Sequence, residues 1–542
     1  MNSQSFLIVI DTPSVKRYVF GTDPLNEIRG ASARLDWLNR EEMERVLREH
    51  AGTSSVEKIY ANGGSAQFLM HHCCETTVEA ACRGVVRHVR EQTGGEVRPV
   101  YGIAPFPANA SYPGAVARAH FRLRCRREFA SGHRSTSTMP AIMECESVSH
   151  SPAAHRVSRG AEGPQMLSVT SWQKVQEGQQ ARTRGIWEWW MNHLQNTGPW
   201  PPHERWQRLR CPTITDLGEQ SRNYVGIVYA DGNAMGKTVQ KLDTPETCRQ
   251  FSSVVDSSIR EACFCALGCV TGAEIERVRH AVGSDRLPSL PADILLLGGD
   301  DLLVAVPADR ALDFARHVTK EFERLTRQKI SSMEDAKVRQ FFKDRLGDRG
   351  FTISCGVAVA RGTYPFYLSL DLAEALLQNA KRDARIVEGD STHGSARIDF
   401  HVVAGANSHA LDQVRRRTFR IATDAIRTLR PLSRSQLEML RDSVQELRQA
   451  GFASSKLQQL ADASLRENVT LAERGIRDIF GRCRHGGERS ERRALWNAVR
   501  RLCPEDHDFD FPWFRKDTKR TLCVADIVDA YRLFGAPERR SS

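Results

Sequence analysis

The sequence predicts an α+β protein made of two copies of a split βαβ unit followed by a helical C-terminal domain, on three observations. An order of strand, helix, hairpin, helix and strand occurs twice. Both copies open on a short β-branched apolar run that stops at an aspartate, and beyond Phe400 the apolar residues fall at the three-to-four spacing of helices. At roughly 150 residues per domain, 542 residues suggest three or four domains rather than one core.

The first copy starts with Phe6 to Ile10, read as a buried central strand ending at Asp11. A helix near Arg34 to His50 follows. Lys58 to Met70 then reads as two strands joined at Gly63-Gly64, and after a further helix comes the strand ending Tyr101-Gly102-Ile103-Ala104. Arg126 to Gln165 is rich in Ser, Gly, Pro and His and reads as a linker or loop-rich insertion, before a Trp-rich helix near Trp172 to Leu194. The second copy opens on Tyr224 to Ala230, ending at Asp231, with a helix near Glu246 to Leu267. Its hairpin pairs Asp293–Leu297 with Leu302–Val306 across Gly298-Gly299-Asp300-Asp301, and its last strand repeats the ending as Cys355-Gly356-Val357-Ala358. This order is that of the ferredoxin-like split βαβ unit, so a pair of related domains is expected. Leu411–Thr428, Ser435–Ala450 and Ser454–Phe480 read as C-terminal helices, and the tail from Arg501 carries no clear pattern. The expected boundaries are 1–125, 126–222, 223–405 and 406–542.

In such a unit the first strand lies antiparallel to the strand leaving the hairpin, so the end of one meets the start of the other. Asp231 is therefore expected beside Asp300 and Asp301, about 70 residues away. Three converging carboxylates are costly unless a hard cation neutralises them, and Mg²⁺ prefers a few carboxylates plus phosphate oxygens to an all-protein cage. The pattern points to two-metal phosphoryl transfer, with Mg²⁺ or Mn²⁺ held by Asp231, Asp300 and Asp301. A Gly-Gly-Asp-Asp turn alone is an ordinary hairpin with solvated aspartates; Asp231 in its predicted place sets this one apart. Gly298 and Gly299 let backbone approach a phosphate closely, and the loop Gly232-Asn233-Ala234-Met235 offers backbone amides to it. That loop continues as Gly236-Lys237-Thr238, but Asp231 stands where a phosphate-binding loop needs its first glycine, which disfavours a P-loop ATPase. Lys381, on a helix over Leu372–Arg385 with Arg382 and Arg385, is the candidate cation for a triphosphate; the alternative is a solvated basic face.

Composition bounds the rest. Hydrophobic residues are 40% and charged residues 26%, which excludes wholesale disorder. No apolar run approaches the ~20 residues of a membrane span, and the N-terminus lacks a basic signal region, so a cytoplasmic protein without membrane contact is expected. Fourteen dispersed cysteines read as reduced thiols. The net charge is +11, and residues 411–542, with 27 basic and 19 acidic side chains, hold most of it. This fits either a solvated helical surface or one that faces RNA or another subunit.

The residues resemble a known family. Gly298-Gly299-Asp300-Asp301, Asp231-Gly232-Asn233, Ser354-Cys355-Gly356-Val357-Ala358, Gln378-Asn379-Ala380-Lys381 and Ile398-Asp399-Phe400-His401 resemble the catalytic palm of the type III CRISPR large subunit. Asp11-Thr12-Pro13, Leu25 to Ser32 and Ala61-Asn62-Gly63-Gly64 resemble that family's degenerate first palm, and Arg430-Pro431-Leu432-Ser433 with the helices after it resembles its C-terminal helical domain. The resemblance implies conversion of ATP, with Mg²⁺, into cyclic oligoadenylates that switch on antiviral effectors. Asp231, Asp300 and Asp301 would then bind metal and Lys381 the triphosphate. The first palm has Gly63-Gly64-Ser65-Ala66 aligned with Gly-Gly-Asp-Asp, which implies no catalytic metal there. Acceptor ATP would instead meet Arg29, Gly30, Ala31 and Ser32 and the turn Asn62, Gly63, Gly64 and Ser65. Implied partners are crRNA, small CRISPR effector subunits, target RNA as activator and a downstream cyclic-oligoadenylate-responsive effector.

Two departures from the family qualify this. Many members begin with an HD nuclease domain, whereas here the first strand starts at Phe6, so DNA cleavage is not expected; His507-Asp508 lacks a helical HD setting. The family's zinc module would need a Cys-x-x-Cys pair, but Val148 follows Cys145 at that spacing, and Cys125, His150, His155 and Cys211 supply no clean ligand pattern, so zinc is not expected. The enzymatic alternative is a diguanylate cyclase, which usually has Glu-Phe after the Gly-Gly-acid triplet where Asp301-Leu302 stands here. The non-enzymatic alternative is a catalytically silent scaffold of a crRNA-guided complex.

Overall fold

The computed structural model describes residues 4–52, 55–130, 143–148, 151–158, 163–180, 185–388, 394–403, 411–486 and 490–535. The protein is a mixed α+β molecule. Its first sheet contains β1 (Gln4–Asp11), β2 (Ser55–Asn62), β3 (Ser65–Cys73) and β4 (Val100–Pro105), in the order β2-β3-β1-β4 with every pairing antiparallel. The unbroken apolar run of β1 follows from its central position. Successive side chains of a strand point to opposite faces. Leu7 and Val9 join one core with Ala115, Ala119 and Leu123 of helix Tyr112–Ala130, while Phe6, Ile8 and Ile10 join another with Val78, Ala81 and Val85 of helix Glu75–Gln92.

After the first sheet come a two-stranded hairpin, β5 (His155–Ser158) with β6 (Pro164–Leu167), and helices Val169–Gln180 and Ile186–Gln195. The expected single Trp-rich helix is thus two helices. The second sheet contains β7 (Tyr224–Gly232), β8 (Asp293–Gly298), β9 (Asp301–Pro307), β10 (Ile353–Arg361) and β11 (Arg397–Val402). Its strands β8-β9-β7-β10 repeat the order of the first sheet, and β11 adds on in parallel to β10. The repeat in the sequence is therefore a repeat in space.

The shared strand ending has a packing cause. A Cβ at Gly102 would sit 1.9 Å from the Ala119 carbonyl oxygen, and one at Gly356 would sit 2.1 Å from that of Ala373. Each copy presses a helix backbone directly onto its last strand, and only glycine leaves the room. In the second copy that helix is Phe366–Glu388, which carries Lys381. Gly356→Ala is expected to push it off the sheet. The measurement is thermal melting, with a loss of ~1–3 kcal/mol from overpacking; an unchanged melting temperature would contradict the close approach.

The C-terminal region departs from expectation. Helix Leu411–Thr418 ends before the expected Thr428, and β12 (Arg420–Ala422) and β13 (Ala425–Ile426) follow it, then β14 (Leu432–Ser433), which extends the second sheet beyond β11. The unassigned tail forms β15 (Asp508–Asp510), β16 (Trp513–Lys516) and β17 (Lys519–Leu522), and with β12 and β13 it makes a five-stranded sheet in the order β12-β13-β17-β16-β15. The region is thus helical with a small sheet. Strands of two to four residues are too short to show alternation, which is why the pattern was silent. Ser454–Ser464 and Val469–Gly481 are separate helices, the second capped by Asn468. Helix Leu25–Trp37 likewise begins nine residues ahead of the expected Arg34. Arg430 locks this region to the second sheet through Asp526 (2.8 Å), Asp529 (2.6 Å) and the Phe400 carbonyl (3.1 Å). Among the described residues no helix is long and apolar enough to cross a membrane.

Candidate functional site

β7 and β9 run antiparallel with Ala230 opposite Leu302, so the next pair along is Asp231 and Asp301. β8 and β9 close at Gly298 opposite Asp301, leaving Gly299 and Asp300 as a two-residue turn with Gly299 at φ 64°. Asp300 Oδ2 lies 2.6 Å from where a Cβ on Gly232 would stand, so Gly232 makes room for that carboxylate. The carboxyls of Asp300 and Asp231 are in hydrogen-bond contact, and the Lys381 ammonium is ion-paired with Asp231 Oδ2. The structure brings these four side chains to one end of the sheet.

Their electrostatics follow from burial and crowding. Burial first, and then the neighbouring charge of Asp231, push the Asp300 carboxyl well above the usual carboxylate range. Asp301 is raised likewise, by burial and then by Asp231 and Asp300, against the opposing charges of Lys16 and Lys381. The nearby Tyr229 hydroxyl is also raised, chiefly by burial. Among the described residues no group of three or more His, Cys, Asp or Glu side chains closes into a metal cage. The donor set instead suits an ion held by one or two carboxylates and completed by phosphate oxygens, which is how Mg²⁺ is commonly bound.

The loop after β7 is braced from behind. The Asn233 amide nitrogen donates to Thr352 Oγ1 (3.0 Å), its Oδ1 accepts from Ser354 Oγ (2.9 Å), and its backbone N–H is spent on the Thr352 carbonyl (2.9 Å). Asn233 therefore shapes the loop, and its backbone amide is not available to a phosphate. Ala234 takes a left-handed φ of 56°, and the Met235 side chain packs over Gly232.

The first copy supplies the opposite wall. A cavity of about 370 Å³ lies between the copies, lined by Thr12, Lys16, Ser32, Gly63 and Gly64 from the first and by Tyr229, Gly298 and Asp301 from the second. Gly63 and Gly64, at φ 58° and 81°, form a two-residue turn closed by Asn62 opposite Ser65, and Asn62 Nδ2 donates to Ser252 Oγ (3.0 Å). This register corrects the sequence alignment by one residue. Asp11 faces Ser65 as Asp231 adjoins Asp301, so Ser65 corresponds to Asp301 and Gly64 to Asp300. The charge pattern repeats as well: Asp11 pairs with Arg127, on the helix after β4, as Asp231 pairs with Lys381, on the helix after β10.

Of the expected Arg29 to Ser32 wall, only Ser32 lines the cavity. Arg29 is buried against Asp293 Oδ2 (2.6 Å) and the Cys211 carbonyl (2.7 Å). Gly30 faces away, where a Cβ would meet the Lys174 carbonyl oxygen at 2.0 Å, and Ala31 is buried in the core. The physical reason is the crossing of helices Leu25–Trp37 and Val169–Gln180, which takes this face of the first helix. Of the residues considered for zinc, Cys145 packs with Leu167 and Val175, Cys211 donates to the Leu290 carbonyl, and His155 stacks on Trp172 at 4.6 Å. His150 lies outside the described residues.

Sequence reasoning missed Lys16, whose Nζ lies 4.9 Å over the Tyr229 ring and pairs with Glu374 at 2.6 Å. It also missed Asp256 and Arg40, which touch the Gly298-Gly299 turn. Neither carries a local signal, because an Asp256 and Arg260 pair four apart on a helix reads as ordinary surface.

Residues 224–386 match the family described as Cas10/Cmr2, second palm domain. The CRISPR system Cmr subunit Cmr2 of Pyrococcus furiosus is 26% identical over 174 residues, which are 30% of this chain and 17% of that protein's length. The crystal structure of Csm1 in T. onnurineus is similar at a TM-score of 0.53 and 13% identity, covering 98% of this chain and 68% of that one. A Csm1–Csm4 cassette in complex with pppApA gives a TM-score of 0.53 at 13% identity over 97% of this chain and 69% of that one. A cassette in complex with cA3 gives 0.51 at 13% over 92% and 69%. At this identity these structures speak to fold.

Proposed function

We propose, from the premise that this chain is of the type III CRISPR large-subunit family with its Cas10/Cmr2 second palm domain at residues 224–386, that it joins ATP into cyclic oligoadenylates, each 3′-hydroxyl losing its proton and displacing pyrophosphate from an α-phosphate. The observation that carries the reading is the meeting of Asp231, Asp300 and Asp301 beside Lys381, the last two carboxyls being raised first by desolvation and then by their mutual crowding. The two sheets are read as ferredoxin-like palms spanning 1–125 and 223–405, the first without the catalytic carboxylates, joined by the insertion 126–222 and followed by 406–542. The relatives solved with pppApA and cA3 support adenylates as substrate and product class.

Asp231 and Asp300, with Asp301 alongside, would hold Mg²⁺ or Mn²⁺, which supplies charge neutralisation at the triphosphate and acidifies an attacking 3′-hydroxyl. The residues of the chain do the rest. Gly232 and Gly299 keep side chains out of the way of the phosphates. Lys381, freed from Asp231, presents its ammonium to triphosphate oxygens. Thr12, Gly63, Gly64, Ser32 and Lys16 form the wall against which the acceptor nucleotide lies. A Csm4-like subunit, crRNA and target RNA are the proposed partners, in keeping with the cassettes named above.

The test is mass spectrometry of products from the full chain, assembled with its partner subunits and target RNA, given Mg²⁺ and each nucleotide in turn. Cyclic oligoadenylates from ATP are expected. A product from GTP alone would replace this reading with a diguanylate cyclase, and none from any nucleotide would leave the scaffold.

A further inference from the structure

We propose that Asp256 and Arg40 form a clamp through which the first palm positions the catalytic turn of the second. This rests on the reading above that Asp300 is catalytic. In a two-residue hairpin the N–H of the first turn residue has no partner in the ladder, because the flanking pair closes on itself. Here the Gly299 N–H donates to Asp256 Oδ1 (3.2 Å), from the middle of helix Pro245–Val270. Gly299 directly precedes Asp300, so Asp256 governs where that carboxylate is carried.

Asp256 is in turn held by the first palm. Arg40 reaches it with both terminal nitrogens, Nη2 to Oδ1 at 2.8 Å and Nη1 to Oδ2 at 3.1 Å, while Arg260 donates to Oδ2 at 2.7 Å. Each carboxylate oxygen therefore accepts two hydrogen bonds, which fixes the group in orientation as well as place. Arg40 is fixed too. Its Nε donates to Asp36 Oδ1 (2.7 Å), its carbonyl accepts from Lys58 Nζ (3.1 Å), and it lies in a π-helical turn, Leu38–Glu42. The Trp189 ring sits under Arg40 at 5.2 Å and under Arg260 at 4.3 Å. The same helix is tied to the first palm at Asn62 with Ser252 and at Glu57 with Arg249. A shift of one palm against the other is thus delivered to the turn through a two-pronged contact rather than through loose packing.

Arg40 and Asp256 touch no nucleotide atom in this scheme and are positioning residues. The experiment compares Arg40→Gln, Asp256→Asn and Arg40→Lys in the full chain by two readouts. One is amide hydrogen exchange of the segment 295–303. The other is kcat and KM for ATP in the assembled complex. Arg40→Gln and Asp256→Asn are expected to speed exchange at the turn and to lower kcat ~10–100-fold, as loss of an outer supporting partner does, with KM little changed. Arg40→Lys keeps the charge but not the fork and is expected to recover only part of the loss. Unchanged exchange and kcat in Arg40→Gln would overturn the clamp, as would full recovery by Arg40→Lys or a fall in kcat without faster exchange at the turn. Faster exchange in a protein that makes no adenylate product would keep the clamp and overturn the function.

Discussion

Asp300→Asn combined with Asp301→Asn is expected to reduce cyclic oligoadenylate formation by at least ~100-fold, since replacing first ligands should cost no less than replacing their outer supports. Asparagine keeps the shape of each side chain and its place in the turn, so the fold is expected to survive. The substitution also removes a pH effect. Both carboxyls are raised in the folded protein, chiefly by burial. The folded state therefore binds protons that the unfolded chain has released, and its stability falls as the pH rises from about 4, the ordinary carboxylate value, towards the raised values. In chelator, melting of the wild type should drop over that window relative to the double variant, which keeps the other shifted carboxyls such as Asp36, Asp309 and Asp526. Mg²⁺ should close that difference, more at the alkaline end. A double variant that still makes product would end the metal-site reading, and a difference in chelator that does not change with pH would end the electrostatic account of it.

Asp293→Asn is expected to give the largest loss of stability. Asp293 opens β8, six residues before the Gly299-Asp300 turn, with its side chain 0% exposed. Arg29 from the first copy and Arg210 from the segment between the two copies, 2% and 5% exposed, both bond to it at 2.6 Å. Burial would raise this carboxyl, but the guanidinium groups of Arg210 and Arg29 together hold it below its usual range. The amide leaves two buried cations without a counter-charge, at a cost of ~3–5 kcal/mol. For a unit of palm size that is a fall of roughly 6–20 °C in melting temperature. Replacing Arg29, Arg210 and Asp293 together by apolar residues of similar size should recover much of it, because the desolvation cost disappears with the charges. If the triple variant melted as low as Asp293→Asn, the loss would lie in packing rather than in stranded charge.

The two predictions differ in how visible their residues are in the sequence. Asp231, Asp300 and Asp301 stand out because each ends or begins an apolar strand, and the antiparallel order of a split βαβ unit brings such ends together. Arg29 matters too, but for another reason than the one expected: it lies in a helix that lines the cavity with Ser32, Leu35 and Asp36, while its own side chain goes to Asp293. Matching identical glycines aligns the two turns one residue out of step, whereas strand pairing matches Gly64 with Asp300. The C-terminal sheet leaves no readable pattern because none of its strands is longer than four residues and its two hairpin halves join only where β13 pairs with β17, 95 positions away.

The amino-acid sequence by itself determined the repeat, the two hairpins and the acidic end of the second palm's sheet, because apolar periodicity, turn glycines and strand-ending aspartates are local properties of the chain. The tertiary structure alone decided which face of helix Leu25–Trp37 meets the cavity, that Asp293 bridges two arginines, and that Arg40 reaches Asp256 and through it Gly299. Those partners lie 43 to 264 positions apart. Packing chooses such contacts, and no periodicity short enough to read along a chain encodes them.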